Sequence, residues 1–211
     1  MPTIEEAKNW YDPVDPVHGF DHVLRVYKMA ESIGAELGAD MEILKAAALL
    51  HDASGAAPGE GGARTSHEQE SAEFARRMLQ DEGWMEERIR AVEHCIRTHR
   101  YRNQEEPESL EAKILFDADK LDVVGAFGVA RTIGYAVQAH RPIFTQPSER
   151  FLNEGLKEPD EPHSAYHEYL FKLRHVKDRL FTQSARHIAE HRHQVLTQFF
   201  EQLAAEAVGE G

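Results

Sequence analysis

A histidine and an aspartate stand side by side at His51-Asp52, closing the apolar run Leu44-Lys45-Ala46-Ala47-Ala48-Leu49-Leu50. Placing an imidazole and a carboxylate at the end of a buried segment is costly unless something compensates them, and a divalent cation is one such partner. Alone, the pair reads more readily as a helix C-terminus that turns polar as it meets solvent. Two other positions alter that balance. His22 lies near the start of the apolar segment that begins at Phe20, and Asp119 sits in the acidic cluster Asp117-Ala118-Asp119-Lys120-Leu121-Asp122, inside an otherwise apolar stretch. Two imidazoles and two carboxylates make a mixed nitrogen–oxygen set that suits Mn, Fe, Co, Ni or Zn, and Mg less well. Drawing ligands from facing helices is a general way to build such a site. Thirteen histidines in 211 residues are many, which agrees with metal chemistry without locating it.

The elements that must hold these residues are helices. Thr3, with Glu6 three residues later, forms a capping box for a helix over 3–11, and the prolines of Asp12-Pro13-Val14-Asp15-Pro16 break it. Val23, Val26, Ala30, Ile33 and Leu37 recur at three and four, predicting a helix from Phe20 to Leu37 that Gly38 stops. Asp40 caps the next, over about 41–53. The glycine-rich 54–63 reads as a loop, and Ser66 opens a helix to about Glu82 with Ala72, Phe74, Ala75, Met78 and Leu79 inward. Further helices are predicted over 85–99, over 110–139 with a break near 119–125, and over 163–181 and 184–207. In the last two, Leu170, Leu173, Val176, Leu180, Ile188, Val195, Leu196, Phe199 and Leu203 form the apolar stripes. No alternating strand pattern and no internal repeat occurs. The prediction is an all-α, single-domain helical bundle with an N-terminal helix and linker at 1–17 and a metal-binding core at 18–139. An irregular, proline-containing excursion at 140–162 and C-terminal helices at 163–211 complete it.

Composition narrows the function classes. The formal charge of −13 argues against sequence-independent DNA or RNA binding, which relies on basic surface, but leaves room for a small anion held by local cations or a metal. No apolar run is long enough to span a membrane. The acidic N-terminus lacks a signal-peptide pattern, and a single cysteine, Cys95, excludes an internal disulfide, so the expected location is the cytoplasm.

The ordered motifs H-x-x-R-V at His22–Val26, A-A-x-L-L-H-D at Ala46–Asp52 and D-A-D-x-L-D at Asp117–Asp122 resemble those of the HD-domain metal-dependent phosphohydrolases. The likeness continues through Gly125–Thr132, Tyr166–Leu173 and Ile188–His193. There it looks like the small bacterial branch that includes nucleotide pyrophosphohydrolases, so it covers most of 18–207. The resemblance implies an HD-type helical fold with one divalent ion held by His22, His51, Asp52 and Asp119. Asp119 is preferred to Asp117 because the family pattern places the ligand directly before x-L; Asp117 and Asp122 are assigned to hydrogen-bonding around the ligands. His67 and His99 match positions where bimetallic relatives carry further ligands. They are read as a second metal site, as phosphate contacts, or as ordinary helix-terminal histidines. His18 and Asp21 would hydrogen-bond to ligands or lie in a solvated turn. His94, five residues before His99, is off its helix face and structural, and the His187/His191 pair, lacking the H-E-x-x-H pattern, is a polar helix face.

The activity implied is hydrolysis of a small phosphorylated anion, a nucleotide, by metal-activated water, with a nucleoside triphosphate yielding monophosphate and pyrophosphate. Arg25, one turn beyond His22, and Lys120, beside Asp119, are the candidate phosphate-binding cations, with surface ion pairs as the alternative; Arg64 would serve if the glycine-rich loop closes as a lid. Alternatives are a nucleoside monophosphatase, a di-iron oxygenase using His67 and His99, and a non-catalytic nucleotide sensor. Ser54 and Gly55 stand where cyclic-dinucleotide diesterases of the superfamily carry glycine and lysine, which argues against that substrate. The excursion at 140–162 is read either as a cover for the pocket or as a subunit contact, the latter allowing a homodimer.

Overall fold

A computed structural model describes residues 1–11, 19–53, 67–100 and 105–210. Among these residues the protein is all-α. The chain divides into two compact units, Met1–Asp119 and Lys120–Gly211.

In the first unit, Thr3 and Glu6 form the expected reciprocal cap, but the helix they start, α1, covers only Ile4–Ala7 and tightens into a 3-10 turn over Lys8–Trp10. α2 (Phe20–Leu37) buries Val23, Val26, Ala30 and Ile33 and ends at Gly38, whose φ of 72° is the left-handed conformation glycine adopts without a Cβ clash. Leu37, expected inside, is 37% exposed because the last turn overruns the core. Asp40 accepts from the backbone N–H groups of Glu42 and Ile43 at the start of α3 (Met41–Leu50), and Arg88 clamps the same carboxylate with two bonds of 2.9 and 3.0 Å. α2 and α3 approach so closely that a Cβ on Gly34 would lie 2.4 Å from Leu44 Cδ2.

α3 stops at Leu50, three residues before its predicted end, so His51 and Asp52 lie in the turn beyond it. α4 (His67–Asp81) packs on α5 (Glu86–Thr98), tied by Arg76 to Glu86 and Glu93. Leu79, Ile89, Val92 and Ile96 fill their contact, while Phe74 and Met78 are only part-buried. α6 (Leu110–Leu121) carries Ile114 and Leu115 into the core, and the boundary between the units falls in its last turn. Ser66 and the 54–65 loop, with Arg64, lie outside the described residues, as does His18.

The second unit contains α7 (Gly125–Gln138), α8 (Glu149–Glu154), α9 (Ala165–Phe171), a 3-10 segment Leu173–Arg179 and α10 (Gln183–Ala207). The predicted break after Asp119 is therefore present, between Leu121 and Gly125. Gly128 is required there, since a Cβ would meet the Val123 carbonyl oxygen at 2.4 Å. Two expectations change. The excursion contains α8, started by Ser148 and stopped by Gly155 at φ 70°. The helix predicted over 163–181 is α9 followed by 3-10 turns, Lys172 leaving helical geometry at ψ −55° with φ −126°. On α10 the buried ring is Phe200, which stacks on Tyr169 at 4.7 Å and lies in phase with Leu196 and Ala189; Phe199 is 40% exposed.

Candidate metal centre

Helix ends deliver the candidate ligands, all within the first unit. His22 comes from the first turn of α2, His51 and Asp52 from the turn after α3, His67 from the first residue of α4, His99 from the cap of α5 and Asp119 from the last turn of α6. His22, His51 and Asp52 form one group whose ligand atoms lie within 4.8 Å of one another, and Asp52, His67 and His99 form a second. Asp119 joins the first through its Oδ1, 3.4 Å from His22 Nε2. Asp52 belongs to both groups by presenting a different oxygen to each. Oδ2 faces His22 Nε2 at 3.9 Å and His51 Nε2 at 3.7 Å; Oδ1 faces His67 Nε2 at 3.2 Å and His99 Nε2 at 3.4 Å. His22, His51, Asp52, His99 and Asp119 are all buried.

The proton positions test whether this set fits a cation. His51 Nδ1 lies 2.8 Å from the Ala48 carbonyl oxygen and His99 Nδ1 lies 2.5 Å from that of Ile96. A carbonyl only accepts, so each Nδ1 carries the proton, and in the neutral ring Nε2 is a bare lone pair. Among the described residues, His51 Nε2 is buried without a hydrogen-bond partner, and so is Asp52 Oδ1. Burial pushes the His51 imidazole down to about 4, so it is neutral near pH 7. Burial opposes the Asp52 charge, but the surrounding His51, His67 and His99 outweigh it and hold the carboxyl well below the usual carboxylate range. His51 Nε2 thus turns a lone pair toward an ionised carboxylate oxygen 3.7 Å away, and a cation between them would be held by both. The donor set fits a divalent metal.

The remaining predicted residues are distributed as follows. Arg25 donates to Asp21 at 2.7 Å, and the Asp21 carboxylate is largely exposed. Asp117 is fully buried, Lys120 is buried, and Asp122 accepts from Arg131 Nη1 at 2.8 Å. His94 bridges Glu105 and the Glu108 backbone, and His187 is exposed beside Glu190. Burial pushes the Cys95 thiol up to about 12, so it is no nucleophile. Sequence patterns did not single out Tyr11, whose hydroxyl donates to the Leu49 carbonyl at 2.8 Å and so secures the end of α3 just before His51. Nor did they single out Glu68 and Arg100, joined at 2.9 Å. The available signal for those two was adjacency, in His67-Glu68 and His99-Arg100.

A helical fold with a buried histidine–aspartate centre at the end of α3 is the design of a metal-binding hydrolase domain. The HD domain model matches residues 19–124, half of the chain, and the chain belongs to that family of divalent-metal-dependent enzymes. Over 214 aligned residues it is 29% identical to YpgQ of Bacillus subtilis (strain 168), covering 97% of this chain and 94% of that protein. The crystal structure of B. subtilis YpgQ in complex with ADP superimposes with a TM-score of 0.72 at 26% identity, covering 98% of this chain and 99% of that one. An HD-superfamily hydrolase from Bacillus thuringiensis gives a TM-score of 0.70 at 28% identity, over 98% and 95% of the two chains. The protein is accordingly an HD-superfamily hydrolase with a divalent metal ion as cofactor. No described helix is long and apolar enough to cross a membrane.

Proposed function

We propose that the protein is a metal-dependent nucleotide phosphohydrolase that converts a nucleoside triphosphate to the monophosphate and pyrophosphate, with His22, His51, Asp52 and Asp119 holding the ion. The observation that carries this is the buried Asp52 carboxylate facing unprotonated imidazole nitrogens. When bound, a divalent ion supplies charge for a phosphoryl oxygen and a water of lowered pKa. The chain's own groups do the rest. Neutral His51 and ionised Asp52 are already in the protonation states a ligand needs, so little proton release accompanies binding near neutrality. Arg25, held by an exposed carboxylate it can exchange for a phosphate, neutralises substrate charge, and Lys120, the residue after Asp119, is a second cation for that role. A nucleotide is favoured because YpgQ, similar over nearly its whole length, has been crystallised with ADP.

Products decide the reaction. Incubating a panel of nucleoside triphosphates and monophosphates with Mn²⁺, beside Asp52→Ala as a control, should release pyrophosphate from the triphosphates. Orthophosphate from monophosphates would instead identify a nucleoside monophosphatase.

A second reading is favoured by one observation: the two Asp52 oxygens face separate histidine groups. It gives the enzyme two ions, the second held by Asp52, His67 and His99. Iron content with oxygen uptake would move this reading to a di-iron oxygenase; Mn²⁺-dependent phosphate chemistry keeps it a hydrolase.

A further inference from the structure

A histidine that coordinates through Nε2 needs its Nδ1 proton held, because that bond fixes the tautomer and the plane of the ring. His51 and His99 use the backbone for this. Each follows the end of a helix, where the carbonyls of the last turn lack the usual partner four residues on, and bonds the one three residues back. His67 is placed differently. It opens α4, and the free backbone groups at a helix N-terminus are N–H donors. Its Nδ1 is buried and makes no hydrogen bond among the described residues.

The carboxylate facing that nitrogen belongs to the next residue. Glu68 Oε2 is 3.7 Å from His67 Nδ1, and Glu68 is only 8% exposed. The same oxygen accepts from Arg100 Nη1 at 2.9 Å. Two dipeptides therefore oppose each other: His67-Glu68 at the start of α4 and His99-Arg100 at the end of α5, with rings 5.8 Å apart and the charged neighbours bonded together. A tie between these helices is already supplied by Arg76 with Glu86 and Glu93. What sets the Glu68–Arg100 pair apart is its contact with His67.

We infer that Glu68 is the positioning residue for His67 and that Arg100 fixes Glu68, so that this ion pair sets the affinity of the Asp52–His67–His99 group for a second divalent ion. The inference rests on the two-ion reading above. At 3.7 Å the ring and carboxylate are in electrostatic contact rather than hydrogen-bonded.

The test is Mn²⁺ binding by calorimetry, with electron paramagnetic resonance of the bound ions, on wild type, Glu68→Gln, Arg100→Gln and His67→Ala. Wild type should take up two ions. Glu68→Gln should keep the first affinity and weaken the second by about 10- to 100-fold, with the spin-coupled pair appearing only at correspondingly higher Mn²⁺; Arg100→Gln should weaken it by about tenfold. A purely structural tie would lower the unfolding temperature of both variants without separating the second ion from the first. Second-ion affinity equal to wild type in Glu68→Gln overturns the inference while leaving the two-ion reading intact. If Glu68→Gln does not fold, equal affinity in Arg100→Gln overturns it. Wild type binding a single ion, unaffected by His67→Ala, removes the two-ion reading and the inference with it.

Discussion

Each unit buries a histidine among acidic groups, and the two are built on opposite principles. In the second unit, His167 is fully buried, yet both ring nitrogens are served: Nδ1 lies 2.7 Å from Ser164 Oγ and Nε2 lies 2.9 Å from Glu161 Oε1. Glu161 is satisfied in turn by the Ser148 backbone and hydroxyl and by the Glu158 backbone. In the first unit, His51 is equally buried, one nitrogen is served by Ala48, and the other faces Asp52 with no hydrogen. Burial of histidine is common to both. The lone pair left without a proton separates a centre that could hold a cation from one whose ring nitrogens are both served.

The largest effect should come from breaking the open centre. Asp52→Asn keeps the shape of the side chain and removes the charge both groups share. Hydrolysis should fall by more than about a hundredfold, the upper end of what altering a mere neighbour of a ligand costs. Mn²⁺ should also cease to stabilise the protein, whereas wild type at a hundred times its Kd gains about 2.7 kcal/mol. The metal-free variant should melt below the wild-type temperature, because the fold favours the Asp52 charge more than the unfolded chain does. Thermal denaturation with and without Mn²⁺ checks both, and a variant still stabilised by the ion would erase the distinction drawn between the units.

His167→Ala should give the reverse pattern. It leaves a cavity beside Phe151, whose ring centroid is 4.5 Å away, and takes one partner from each of Ser164 and Glu161. The expected loss is about 2–4 kcal/mol in denaturant unfolding, with Mn²⁺ affinity unchanged. A loss of metal binding without a loss of stability would mean that the closed cluster has been misread.

This contrast also marks where the sequence stops being legible. Helix starts and stops carried local signals that survive folding: Asp40 before α3, Gly38 after α2, the break before Gly125. The candidate ligands were visible because His22, His51-Asp52 and Asp119 interrupt apolar runs. The status of His167 was not visible, since its partners Glu161 and Ser164 give no sign of who bonds whom. α8 escaped notice because six residues are too few to set a period, although Ser148 and Gly155 bracket it with a cap and a stop. Phe199 and Phe200 are adjacent, and only the Tyr169 ring decides which is buried. Glu68 and Arg100 meet across 32 positions of chain, a pairing that no local pattern encodes.

Acid should expose the closed cluster. The Ser148 hydroxyl, with His167 and the backbone of Ser148 and Glu158, holds the Glu161 carboxyl down to about 2. Burial works against Glu168, but His163 and Lys172 outweigh it and bring it to about 2 as well. Both lie below the ordinary value of 4.5, so the unfolded chain binds protons first as pH falls. The stability these carboxylates confer is complete above pH 4.5 and is lost as pH drops toward 2. Denaturant unfolding at a series of pH values should show that decline, and Glu161→Gln should flatten it. An unchanged acid slope in that variant would remove Glu161 from the account.

The smallest effect compares how a helix ends in each unit. α4 closes with the Trp84 N–H bonding the Leu79 carbonyl and the Gly83 N–H bonding that of Gln80, with Gly83 at φ 76°. α7 closes the same way, Arg141 to Ala136 and His140 to Val137, but the left-handed position holds His140 at φ 53°. A residue with a Cβ is disfavoured there by about 1–2 kcal/mol, and replacing it with glycine returns roughly 0.4–1 kcal/mol to the unfolded chain as entropy. The first term wins, so His140→Gly should stabilise the protein by about 0.5–1 kcal/mol in denaturant unfolding. Because the substitution lies in the unit without the candidate ligands, Mn²⁺ affinity should be unchanged. A gain in stability that also shifted metal binding would show that the closed unit tunes the open one.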